Sequence, residues 1–121
     1  MPEITQLHGV LARTLVLYLT FLGLWGLIAW RRGDGISASF RGAVVIAWLT
    51  GIGQGALGFV SWVTAAAPRD SLHVLYGFAL AVALPAGYVY ARERSPREQS
   101  LVLGLVLLFA AGLAIRGITT A

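Results

Sequence analysis

Cysteine and lysine are both absent from the 121 residues, charged residues make up only 12%, and acidic side chains number five. The lack of cysteine excludes disulfides, thiolate metal sites, iron–sulfur clusters and thioether-attached haem. Soluble domains carry roughly 25% charged residues, so this composition excludes an ordinary soluble enzyme, along with disordered and collagen-like chains. No Asp or Glu falls inside any long apolar run. That argues against a proton-coupled carrier, whose intramembrane site needs a titratable carboxylate. The net charge is +4 and all nine basic residues are arginine. They do not read as a nucleic-acid surface, because Arg31, Arg32, Arg41, Arg92, Arg94 and Arg97 fall in two short segments between apolar runs. Charge placed in this way reports membrane topology, not a groove-facing patch.

What remains is hydrophobic, with 58% apolar residues and a mean hydropathy of +0.80. The apolar runs are His8 to Trp30, Gly42 to Ala67, Leu72 to Ala91 and Ser100 to Ile118. Each has about the 20 residues needed to cross a bilayer core. In lipid the backbone must satisfy its own hydrogen bonds, so each run is expected to be a helix. The expectation is an all-α integral membrane bundle, up-down-up-down, in a single domain 1–121 with helices near 4–31, 41–66, 69–92 and 98–118. Its main partner is the lipid bilayer, and short connections make neighbouring helices antiparallel. The positive-inside rule assigns the two arginine-rich segments to the cytoplasm and both termini to the outside, with Arg13, Arg69 and Arg116. Trp30, Trp62, Tyr88 and Tyr90 lie near run ends, as interfacial anchors do. Pro85 is expected to bend the third helix and to free the carbonyl of Ala81. Glu3, with no basic residue beside it and a long run after it, reads as something other than a cleavable signal.

Polar residues within the runs are costly and therefore candidates for function. They are His8, Arg13, Gln54, His73 and Arg116. The two histidines open the first and third helices, which run in the same direction, so both are expected at one depth near the outer face. Pro2 precedes His8 and Pro68 precedes His73. Proline suits a first helical turn, which places each histidine about one and a half turns inside its helix. Each follows a leucine, and each has a small residue one turn on, Ala12 or Gly77. Two imidazoles level with each other on diagonal helices suit the axial positions of a b-type haem. Gly51, Gly55 and Gly58 form a nearly bare stripe for close approach of a flat ligand, and Arg116 or Arg13 would meet its propionates. The same features have plainer readings. The histidines would be wetted helix ends, the G-x-x-x-G at Gly51 and Gly55 would pack a helix, Gln54 would be an interhelical donor, and the arginines would snorkel.

In the order of these features the chain resembles the haem A synthase superfamily, whose halves are four-helix units. The resemblance is carried by Leu7-His8-Gly9-Val10-Leu11-Ala12-Arg13, Gln54-Gly55-Ala56-Leu57-Gly58 and Leu72-His73-Val74-Leu75. It implies that His8 and His73 ligate haem, that Gln54, Gly55 and Gly58 line the haem-facing helix, and that a single unit pairs as a homodimer. Family enzymes carry a glutamate three residues before the first histidine, where this chain has Thr5, and commonly an arginine after it, where this chain has Gly9. The external cysteine pair of many members is also missing. The groups tied to haem hydroxylation are therefore gone, and the expectation is a haem b protein for electron transfer or haem handling without enzyme activity. The competing expectation is a haem-free assembly subunit of a larger membrane complex, of respiratory type. A homologue that regains activity by dimerising, and a carrier built on a helix broken at Pro85, are weaker readings.

Overall fold

The computed structural model describes residues 2–64, 67 and 70–120. Four helices follow in order: α1 (Pro2–Arg31), α2 (Ala38–Thr64), α3 (Leu72–Ala91) and α4 (Pro96–Thr120). All four are long and apolar enough to cross a membrane. Their outward faces carry large apolar side chains such as Leu17, Phe21, Phe59 and Phe78, as a lipid-facing surface requires. The chain is a four-helix membrane bundle. Pro68 and Arg69, and the expected end of the second helix at 65–66, lie outside the described residues.

Helix starts differ from the apolar runs because polar caps extend them. Ser37 accepts the Phe40 N–H at 3.0 Å and starts α2 at Ala38, ahead of the expected 41. Ser95 accepts the Glu98 N–H at 3.3 Å, and Pro96 takes the first helical position of α4. Gly33 ends α1 with φ +77°, a left-handed value that a side chain would resist, while Asp34 N–H closes on Ala29 O at 2.8 Å. The third helix starts at Leu72 and not at 69, because the Asp70 carboxylate accepts the Leu72 N–H at 2.9 Å.

Neighbours in the bundle follow chain order and close on themselves: α1 packs on α2 and α4, and α3 packs on α4 and more lightly on α2. Thus α1 and α3 are diagonal. The closest approach is between α1 and α4. A Cβ on Gly26 would lie 2.8 Å from the Gly104 Cα, and one on Gly104 would lie 3.0 Å from the Leu27 N. Small residues let helix backbones meet in this way where lipid offers no hydrophobic drive. The core is Leu15, Leu19 and Leu22 of α1, Phe40 and Ala47 of α2, Leu84 of α3, and Leu103 and Leu107 of α4 with their alanine neighbours. Pro85 sits inside a continuous α3, and the Ala81 carbonyl one turn earlier accepts the Trp48 indole N–H at 3.0 Å. The polar group that proline leaves over is thus satisfied by α2.

Candidate functional site

His8 on α1 and His73 on α3 meet across the bundle. Their ring centroids are 6.0 Å apart and their planes are inclined at 77°. Both side chains are half-buried, so neither points wholly into lipid. Their depths within the helices are not matched. His8 is well inside α1, whereas His73 is the second residue of α3, in its first turn. Ser71 is the N-cap of that helix, and the Asp70 carboxylate takes up the Leu72 N–H behind it. Asp70 also accepts the His73 N–H through its carbonyl at 3.0 Å and donates its own N–H to Thr120 O at 3.2 Å. The segment before α3 is thereby tied to the end of α4.

His73 is oriented further by its ring. Nδ1 lies 2.7 Å from the Gly117 carbonyl oxygen and 3.5 Å from the Thr120 hydroxyl. A carbonyl only accepts, so the partner assigns the proton to Nδ1 and the lone pair to Nε2. This is the arrangement of a histidine prepared to ligate through Nε2, with its other nitrogen held by a protein oxygen.

His8 is seated by α2. A Cβ on Gly58 would come within 3.1 Å of His8 Cε1, so a side chain there would press on the ring. Gln54, only 7% exposed, donates Nε2 to the His8 carbonyl at 2.7 Å. One helical turn nearer the N-terminus, the Thr5 and Ser61 hydroxyls share a hydrogen bond of 2.8 Å between the same two helices. His8 Nδ1 and Gln54 Oε1 are buried without a hydrogen-bond partner. Such atoms are uncommon in native interiors and invite an explanation.

The glycine stripe divides. Gly58 touches His8, whereas Cβ atoms on Gly51 and Gly55 would meet nothing within 4 Å, and the same holds for Gly77 on α3. Gly51 and Gly55 follow Trp48 along the side of α2 that faces α3, and Gly77 lies one turn before Ala81. Among the described residues no neighbouring helix lies within 4 Å of a Cβ at Gly51 or Gly55; the close glycine contact is that of Gly26 and Gly104. Arg13 is exposed and about 140° round α1 from His8, so the structure does not bring it to the rings. Arg116 is exposed beside Tyr76, its guanidinium 5.5 Å from the ring centre. Two surface grooves lie elsewhere, one along α3 beside Pro85 and Tyr90 and one between Tyr18 and Trp25 of α1.

The spacing of the two ring centres is that of an axial imidazole pair. With metal–nitrogen bonds of about 2 Å and ring centres about 1 Å behind each nitrogen, two axial imidazoles hold their centroids about 6 Å apart. Among the described residues no three His, Cys, Asp or Glu gather as a metal site. Two donors are too few for a bare ion but suffice for a metal whose macrocycle supplies the other ligands. Sequence reading found both histidines and Gln54. It missed the Gly117 carbonyl, which has no side-chain signature, and Asp70, whose place before Leu72 was a usable capping signal. Comparisons with protein-family models, with curated proteins and with solved structures found no match.

Proposed function

We propose that this chain is a small integral membrane protein that holds one b-type haem between His8 and His73 and serves electron transfer or haem handling. The observation that carries the reading is the 6.0 Å separation of two imidazoles on diagonal helices, one of them fixed through Nδ1 by a backbone carbonyl. Bound haem supplies a one-electron redox couple. The chain's own residues supply position. Asp70 and Gly117 fix the His73 backbone and ring, and Gly58 makes room for His8. Gly51, Gly55 and Gly77, where an added Cβ would meet nothing within 4 Å, leave room for a flat ligand to enter from the bilayer. Arg116 is the cation placed to reach a propionate, whereas Arg13 faces away. The positive-inside rule puts the arginine-rich loops in the cytoplasm and the histidines at the outer face. In this reading the chain is a haem A synthase-like half-unit without the hydroxylating groups, working as a homodimer or within a larger membrane complex.

Titration of haem into purified, haem-free protein in lipid nanodiscs tests the proposal. The expected result is saturation at one haem per chain, abolished by His8→Ala and by His73→Ala with helical content unchanged. Equal haem uptake by the wild type and both variants would overturn it.

A second reading rests on a different observation. Among the described residues a Cβ on Gly51 or Gly55 would meet nothing within 4 Å, and α2 presents Ile52 and Phe59 outward alongside them. A haem-free assembly subunit would use that face against a partner helix. In that case Gly55→Leu displaces a partner that copurifies at a fixed ratio, and both histidine variants assemble normally.

A further inference from the structure

We infer that Gln54 is a positioning residue that grips His8 at two points, fixing its proton on Nδ1 so that Nε2 is the ligating nitrogen. The inference rests on the haem reading for its purpose but not for its geometry. One half of the grip is formed: Gln54 Nε2 donates to the His8 carbonyl at 2.7 Å. That bond also fixes the amide's orientation, because a carbonyl cannot donate to the other end. The amide oxygen is then an acceptor next to the same residue, and it is buried without a partner, as is His8 Nδ1. Leaving both unsatisfied costs on the order of 1–3 kcal/mol each in desolvation. One proton resolves both: with hydrogen on Nδ1, a small rotation of the ring makes an N–H to Oε1 bond. The reverse tautomer leaves two acceptors side by side with nothing to share.

Gly58 limits where the ring can go. A Cβ there would be 3.1 Å from Cε1 and 3.5 Å from Nε2, so the ring lies flush against the α2 backbone. The Gln54 grip completes the setting from the same helix, one turn away. His73 reaches an equivalent state by another device, its Nδ1 held by the Gly117 carbonyl. Each imidazole then holds a proton on Nδ1 with an oxygen behind it, which leaves Nε2 as the nitrogen free to ligate and raises ligand basicity.

The test reads the His8 tautomer directly. Nitrogen-15 NMR of histidine-labelled, haem-free protein in nanodiscs is expected to show His8 protonated on Nδ1, with His73→Ala used to assign the signal. Gln54→Leu should shift His8 toward the Nε2-protonated form, and Gln54→Asn, which shortens the reach, should do so partly. An Nε2-protonated His8 in the wild type would overturn the inference, and so would a tautomer unchanged in both variants. No haem is needed for this measurement, so it stands apart from the haem reading. If haem binds, Gln54→Leu should also weaken it roughly 10- to 100-fold, the usual effect of removing a partner behind a ligand. Wild-type affinity and midpoint potential in that variant would reduce Gln54 to a helix-packing residue.

Discussion

The two ends of the bundle are built on opposite principles. At the arginine-rich end every connection is locked. The Ser100 hydroxyl donates to Asp34 O at 2.8 Å, Arg97 donates to Trp30 O at 2.9 Å while lying over the Trp30 ring, and Gly35 lies against Pro96. Just inside that end, Gly26 and Gly104 bring α1 and α4 into backbone contact. At the histidine end two buried polar atoms, His8 Nδ1 and Gln54 Oε1, stand unpaired, and a Cβ on Gly51, Gly55 or Gly77 would meet nothing within 4 Å. A domain whose stability is gathered at one end can hold unsatisfied chemistry at the other, which is where local rules are broken for function.

Variants at the two ends should therefore fail differently. The largest effect belongs to the rings: His73→Ala is expected to abolish haem uptake while costing the haem-free protein only about 1 kcal/mol, the worth of its bond to Gly117. A fall in stability equal to that of a core variant would erase the distinction between the ends. Next comes the α1–α4 contact. Gly104→Leu forces those backbones apart and should cost about 2–3 kcal/mol in unfolding by detergent titration, since overpacking a close contact is costly. Third is the seat of His8. Gly58→Val is expected to displace the ring and weaken haem binding about tenfold, roughly the effect of losing a second-sphere support. Gly55→Val, beside open space, should leave folding unchanged, in contrast to Gly104→Leu. The smallest effects are single hydrogen bonds. Ser100→Ala and Trp48→Phe should each lower stability by about 1 kcal/mol, the net worth of a typical buried bond, and neither should move haem affinity.

The helices were legible in the sequence because lipid leaves the backbone few alternatives: runs such as Leu72 to Ala91 have no other stable form in a bilayer. Their ends were less legible because Ser37, Ser95 and Asp70 extend or delay the helices by capping, independently of apolar content. That His8 and His73 lie at one end of the bundle followed from chain direction; that their rings meet did not. Nor did the partner of His73, since a backbone carbonyl carries no mark in the sequence. Gly26 and Gly104 were overlooked in favour of Gly51 and Gly55 because spacing shows only that a helix face is bare, not whether another backbone lies against it. Arg13 was within reach of sequence reasoning: five residues beyond His8 put it on the far side of the same helix.

The most direct test is the reduced-minus-oxidised absorption spectrum of the protein purified from haem-replete membranes, with low-temperature EPR of the oxidised sample. Two axial imidazoles with steeply inclined planes should give the α-band of a low-spin b haem and a strongly anisotropic low-spin ferric signal, both lost in His8→Ala and His73→Ala. A spectrum without that band, or a band that survives either substitution, would contradict ligation by this pair.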